Sequence, residues 1–415
     1  MKFSKWAGRC VVAAVVGAGL VGCGGSDSPA AASAPAPTPA PSPSPATGPA
    51  PASVSFDAKA VIDHTADDII TATYVTLNDR AAALLAAVQA LDAAQTDGNL
   101  DAAQAAWRAA RVPWESSEGF LFGPVDALQI DPSIDSWPLN TGDLAQFLAS
   151  NPNATQADVE AAGDDLRGFH AIEYLLFGDG VDDNDKDASE LTAAELNYLV
   201  ALTQAFKART QLLVDSWTVD FNGAGPYATI VKNPGVGNTR YASQGAVMEE
   251  LINGVAGIAD EVGAAKMSEP LGATLADADT SQVESQYSWN SLTDFHNNVQ
   301  SILNVYTGKP GFTPSTDVVA AGQNGLYAFV AAHDAALATR VLNEIVDAQQ
   351  KIALVKGDGN SSTTEITGGA KPFREQISND AGRALIDTAI TALATLQTTL
   401  ESDVLPLVGR TTFAN

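Results

Sequence analysis

The chain has 415 residues, 46% of them hydrophobic, and a formal net charge of −27 at pH 7. A field this negative excludes recognition of nucleic acid or anionic lipid through a basic surface; it can attract cations, and more often such acidity only serves solubility. The two cysteines, Cys10 and Cys23, both lie near the N-terminus, so the globular part has neither a disulfide framework nor a thiolate metal site.

The first segment sets the compartment. Lys2, Lys5 and Arg9 flank the start of a short apolar run that opens with Val11 and Val12 and ends near Leu20. That run is too short to span a bilayer and reads as the core of a secretory signal over 1–22. Leu20-Val21-Gly22-Cys23 resembles the bacterial lipobox, which predicts lipidation at Cys23. Gly24 and Gly25 follow, rather than Asp, and this favours an outer-membrane lipoprotein facing the periplasm or the cell surface. Residues 23–55 continue as an Ala/Pro/Ser-rich linker that cannot build a core. At about 3.1 Å per residue such a linker reaches roughly 90 Å and holds the following domain away from the lipid anchor.

Residues 56–415 read as helix throughout. Ile69, Ala72, Leu77, Leu84, Leu85, Val88 and Leu91 recur at helical spacing over 65–94. Asn99 is placed to cap a helix over 100 to about 111, and Pro113 interrupts the run without having to end it. Thr155 opens a helix predicted to run to Phe177 and stop at Gly178. Thr192 and Glu195 form a capping box that starts a long helix to Trp217. Further helical runs cover 241–265, 291–306, 325–355 and 377–405, and no segment alternates like a strand. Breaks near 222–239 and 267–290 divide the runs into two groups, so the expected architecture is all-α, with two packed helical bundles. The acidic loop 179–187 lacks the glycine and the terminal glutamate of a calcium loop, having Ala188 and Ala194 there, and reads as solvated.

The chemistry concentrates in Gly168-Phe169-His170-Ala171-Ile172-Glu173. His170 and Glu173 are three apart on a helix and share a face. An imidazole nitrogen and a carboxylate oxygen aimed at one spot make half of a transition-metal site. The same spacing also suits a hydrogen-bonded structural pair. Glu115 and Glu118 repeat the i, i+3 spacing, with pairing to Arg108 or Arg111 as their structural alternative.

These residues carry a resemblance. The G-x-H-x-x-E segment is similar to the motif of the imelysin family. Trp107-Arg108-Ala109-Ala110-Arg111-Val112-Pro113-Trp114-Glu115-Ser116-Ser117-Glu118 resembles that family's upstream segment, and Asp131-Pro132-Ser133-Ile134-Asp135-Ser136-Trp137 resembles its continuation. Asp294-Phe295-His296-Asn297-Asn298-Val299 is similar to its C-terminal half. The resemblance implies two four-helix-bundle-like halves over 56–415, with the site between them. It also implies a lipoprotein or periplasmic protein tied to iron acquisition, with an iron-uptake receptor or transporter as partner. On that footing His170, Glu173, Glu118 and Glu115 are the expected metal ligands, with Arg111 and Asp135 supporting them. An oxygen-rich set with one nitrogen suits iron, and also zinc or manganese.

Some members of the family are named as peptidases. A zinc hydrolase needs about three protein ligands, an open position and a general base. His64, His296 and His333 each fall in a different predicted helix from His170, and neither an H-E-x-x-H nor a G-x-S-x-G motif occurs. Metal binding is therefore expected ahead of catalysis. A metallopeptidase and a metal-free helical binding module for an envelope partner are the alternatives.

Overall fold

A computed structural model describes residues 53–313, 317 and 324–414. The expected signal peptide, Cys23 and nearly all of the linker lie outside the described residues. Helix dominates, as composition and periodicity require. The principal helices are α1 (Ala72–Ala93), α2 (Asp97–Glu115), α3 (Phe169–Phe177) and α4 (Ala193–Thr218). They are followed by α5 (Gln244–Asp260), α6 (Ser291–Thr307), α7 (Ala335–Leu354) and α8 (Asp380–Thr399).

Helix α1 buries Tyr74, Leu77, Ala81, Leu84, Val88 and Leu91, a stripe at three- and four-residue steps. It packs against α2 and α4, and α3 closes this group against α2 and α4. In the same way α5 packs against α6 and α8, and α7 bridges α6 and α8. Contact between α6 and α2 joins the two groups. Burying a Trp or Leu side chain in such an interface contributes about 2–3 kcal/mol, and Trp107, Trp114 and Trp217 are all fully buried.

Helix α6 differs from the others. It is buried nearly all round, yet the buried set includes Asp294, Asn297, Asn298, Ser301, Asn304 and Thr307. Polar groups are not placed in a core without partners. A polar face on a central helix therefore marks the seam where the chemistry lies.

Several predicted boundaries shift. Thr96, not Asn99, caps α2, its side chain accepting from the Asn99 amide. The Asn99 side-chain amide instead donates to the Ala90 and Ala94 carbonyls and closes the end of α1. The helix expected over 155–177 is broken: Gln156–Ala161 ends, a 3-10 turn covers Asp164–Leu166, and α3 starts after Gly168. The 325–355 run is likewise cut at Asp334, whose side chain caps α7. Two three-residue strands, β1 (Val54–Phe56) and β2 (Thr411–Phe413), pair in parallel where no strand was expected, tying the two ends of the described domain together. No helix among the described residues is long and apolar enough to cross a membrane.

Candidate metal centre

Six segments converge on one buried cluster. Helix α2 is amphipathic in an unusual sense. Trp107 and Trp114 fill the core, while Arg108, Arg111 and Glu115 line a polar face at i, i+3 and i+4 spacing. Arg111 is fully buried. Its guanidinium pairs with Glu115 and Asp135, and at 3.1 Å with both Glu284 and Asp294. Desolvating an arginine costs several kcal/mol unless paired charges offset it, and here four carboxylates do so. Burial pulls its pKa down, but Asp135, Asp294, Glu115 and Glu284 outweigh that and hold it well above the usual arginine range.

Asp135 reaches the cluster from the end of the short helix Ile130–Ile134. It is brought there by Gly168, which has φ +82° and no Cβ; a Cβ would sit 2.3 Å from the Ile134 carbonyl oxygen. Only glycine permits that approach, so the first residue of the G-x-H-x-x-E segment sets Asp135 beside His170. The Trp114 indole N–H donates to Asp135 Oδ2 at 2.5 Å and orients the carboxylate.

His170 is fully buried on the first turn of α3. Its Nδ1 lies 2.9 Å from Glu173 Oε2. Glu173 Oε1 in turn accepts from the Ser288 amide at 2.8 Å and from its hydroxyl at 2.7 Å. On the opposite edge of the ring, Nε2 lies 3.2 Å from Asp135 Oδ1 and 3.9 Å from Glu284 Oε1, but none of the neighbouring groups aligns with it as a hydrogen-bond partner. The edge of Trp137 packs against the ring, centroids 4.7 Å apart. Burial lowers the pKa of His170, yet Asp135 and Glu173 beside its two nitrogens raise it to about 9.

Lys266 enters from the π-helical turn Glu261–Met267 that continues α5. Its Nζ is 3.0 Å from Glu118 Oε2, 3.0 Å from Glu284 Oε2 and 3.8 Å from Glu115 Oε2. Glu115 also accepts from the Asn298 side chain at 2.5 Å. Burial holds Glu115 and Glu118 well above the usual carboxylate range despite the nearby cations. It pushes Asp135 and Glu284 up as well, but there the cations win. Arg111 and His170 hold Asp135 well below that range, and Lys266 and Arg111 lower Glu284.

The charges do not balance. Glu115, Glu118, Asp135, Glu173, Glu284 and Asp294 face Arg111, Lys266 and His170. Such an excess of buried carboxylate must be met by protons or by a cation. Two overlapping groups could hold a metal ion: Asp135, His170 and Glu284, and Glu115, Glu118 and Asp135. Within each, one atom per residue lies within 4.8 Å of the others. His170 Nε2 is buried without an aligned hydrogen-bond partner, whereas Glu115 Oε1 is ion-paired with Arg111 and Glu284 Oε2 with Lys266. An oxygen-rich donor set with one imidazole nitrogen fits iron, manganese or zinc.

Of the residues picked out in the sequence, His170, Glu115, Glu118, Arg111 and Asp135 come together. Glu173 lies on the far side of the imidazole from Asp135, bonded to Nδ1. The i, i+3 spacing brings the two side chains to each other rather than to one common point. Glu115 pairs with Arg111 across one helical turn, the structural alternative for that residue, while keeping an oxygen in the second group. Glu284, Lys266, Asp294 and Ser288 were missed. Glu284 and Ser288 belong to the irregular stretch before α6, where no periodicity points a side chain. Asp294 was legible only as part of a segment similar to the family. His64, His296 and His333 lie outside the cluster: His64 bonds Asp68 and the Gly308 carbonyl, and His333 bonds Thr411.

Comparison with known proteins agrees with this architecture. Iron-regulated protein A of Synechococcus elongatus is 30% identical over 342 residues, covering 82% of this chain and 84% of that protein. A crystal structure described as an iron-regulated protein A precursor from Parabacteroides distasonis superposes with a TM-score of 0.71 at 29% identity, covering 87% of this chain and 98% of that one. An imelysin-like protein from Psychrobacter arcticum shares the fold, with a TM-score of 0.63 at 15% identity over 86% of this chain and 98% of its own. The family profile described as Imelysin matches residues 70–400, and the chain belongs to the imelysin family.

Proposed function

We propose that this protein is an outer-membrane-anchored lipoprotein that binds a metal ion, most simply iron, in iron uptake. One observation carries the metal reading. His170 Nε2 is buried without a hydrogen-bond partner and faces Asp135 and Glu284, while Nδ1 is fixed by Glu173 and Glu173 by Ser288. A histidine whose second nitrogen is held by a carboxylate is the usual support of a metal-ligating imidazole, and a bound ion would displace the proton that Nε2 otherwise carries toward Asp135. Asp135, His170 and Glu284 would hold the ion, with Glu115 and Glu118 beside them, and a bound cation would offset the excess buried carboxylate. The name of the Synechococcus relative supports iron over zinc or manganese.

Isothermal titration of chelator-treated protein with Fe(II) under anaerobic conditions, and with Mn(II), tests the reading. His170→Ala should abolish binding while helical circular dichroism stays near wild type, because the bundles have large cores of their own. Glu173→Gln should keep the fold and weaken binding on the order of 10–100-fold, the usual effect of losing the group that orients a ligand. A drop in melting temperature with metal binding intact would instead make His170 and Glu173 a structural pair. Anchoring is tested separately: Cys23→Ala should move the protein from the membrane to the soluble envelope fraction or leave it unprocessed, and wild type that takes up no lipid label would overturn it.

The peptidase alternative gains little from the geometry. The cluster has a single imidazole, and His64 and His333 are bonded elsewhere. Hydrolysis of a peptide library that disappears in His170→Ala would reverse this preference.

A further inference from the structure

Helix α2 carries a second arginine whose setting is the reverse of the first. Arg111 meets four carboxylates. Arg108, one turn earlier, has no carboxylate within ion-pair distance among the described residues; its partners are neutral oxygens. It donates to Asn290 Oδ1 at 3.1 Å and to the Ser288 carbonyl at 2.7 Å, with the guanidinium over the Phe177 ring, 4.7 Å from its centroid. In a chain with 49 acidic and 22 basic residues, a half-buried arginine without an acidic partner is not explained by a shortage of carboxylates. A guanidinium has five N–H donors, so most of those on Arg108 have no acceptor among the described residues. Arg108 lines a cavity of about 540 Å³ at the seam between the two helix groups, walled by α2, by the residues that lead into α6 and by 364–367. We propose that this cavity binds a small carboxylate-bearing molecule gripped by Arg108. The inference is independent of the metal reading.

Three features support it. The first is charge. Burial pulls Arg108 below the usual arginine range, and Glu173 and Asp294, beyond ion-pair distance, offset this only in part. A ligand carboxylate would supply the close partner, through the planar fork that arginine presents to it. The one acidic residue on the wall, Glu365, is solvent-exposed and makes no ion pair with Arg108. The negative net charge does not forbid this, because at physiological salt exposed charges are screened beyond about 8 Å and the nearest groups decide. The second feature is rigidity. The Ser288 carbonyl also accepts from Asn184 at 2.8 Å, while the Ser288 amide and hydroxyl hold Glu173. Trp289 has φ +59°, a costly backbone for a bulky residue, and its indole N–H is tied to the Gly180 carbonyl at 2.9 Å. A wall fixed before the ligand arrives lowers the ordering cost of binding. The third is capacity. The Thr293 and Thr364 hydroxyls, 2.8 Å apart, are neutral groups that can hydrogen-bond the rest of such a molecule without repelling it. The volume is ordinary for a small-molecule site.

Calorimetric titration of the full chain with succinate, after removal of metal and chelator, tests the proposal, because no bound metal is then present to take the carboxylate. Wild type should bind succinate and should not bind neutral succinamide. Arg108→Gln should weaken succinate binding on the order of 10–100-fold, the worth of a hydrogen bond to a charged group. Arg108→Lys, which keeps the charge and loses the fork, should fall between the two. No succinate binding by wild type, or equal affinity in wild type and Arg108→Gln, would overturn the proposal. Tighter binding of inorganic phosphate than of succinate would overturn the carboxylate assignment. If Arg108→Gln loses the native circular dichroism, Ala109→Leu decides the matter, since it narrows the cavity from α2 and leaves the guanidinium in place. That variant should weaken succinate binding, and an unchanged affinity would place the carboxylate elsewhere and overturn the assignment of this cavity.

Discussion

At the scale of single residues, the centre depends on a few positions with no tolerance for change. Gly168 is one of them. Its φ of +82° and the Ile134 carbonyl 2.3 Å from the place a Cβ would occupy combine two penalties. Gly178 has the same φ but nothing within 4 Å, so it carries the backbone penalty alone. Gly178→Ala should therefore cost about 1–3 kcal/mol, for a backbone with φ +82° and ψ −154° that essentially only glycine adopts. Gly168→Ala should cost clearly more, and it should also weaken metal binding, because relieving the contact moves Asp135 away from His170. Chemical denaturation of the two variants, paired with Mn(II) titration, checks both halves of the statement. Equal stabilities would mean that the loop before Asp135 yields without effect, and that the glycine of the G-x-H-x-x-E segment has no positioning role.

At the scale of elements, much of the helical pattern was legible because burial imposes a period on sequence. The stripe from Leu77 to Leu91 and the Thr192–Glu195 capping box both appear in the structure as read. Ends were harder, since several polar residues near a break compete to cap it. Thr96 and Asn99 illustrate this. Thr96 adopts the extended backbone of a cap and accepts from Asn99 N, while Asn99 lies within the first turn and reaches back to α1. Thr96→Ala should lower stability by about 1 kcal/mol through the lost cap. Asn99→Ala should also destabilise, through the unmet carbonyls of α1, and the two effects should be less than additive because they share a turn. Thermal unfolding of the single and double variants provides the measurement, and strict additivity would contradict it. For the site, a local signal existed wherever donors shared a helix: Arg111 with Glu115, and His170 with Glu173. Glu284 and Lys266 had none. They arrive from an irregular segment and a π turn, and their position depends on how α5, α6 and the loop between them pack, which one-dimensional spacing does not encode.

At the scale of the whole molecule, the acidic charge and the buried titratable groups make stability depend on pH in opposing ways. His296 on α6 is mostly buried, and burial lowers its pKa from 6.5 to about 4. The unfolded chain therefore takes up more protons than the folded one between those values. Stability from this group is complete above about pH 6.5 and is lost as pH falls toward 4. A shift of this size corresponds to at most about 3 kcal/mol, less for the part of the ring that water reaches. Asp131, close to the cluster, behaves oppositely. Burial, with Asp135 nearby, raises its pKa from 3.8 to about 7, so the folded state holds the proton more tightly. Its contribution is complete below about pH 4 and is lost as pH rises to 7. Denaturant titrations of metal-free protein across pH 4–7 separate the two. Relative to wild type, His296→Gln should lose its disadvantage as pH falls, and Asp131→Asn should gain ground as pH rises. Parallel pH profiles for wild type and Asp131→Asn would mean that the carboxyl is solvated in the folded chain. Saturating metal should stabilise the wild type at every pH where it binds, by mass action on the folded state. It should do so without reversing the sign of the His296 effect, because that ring lies outside the donor groups.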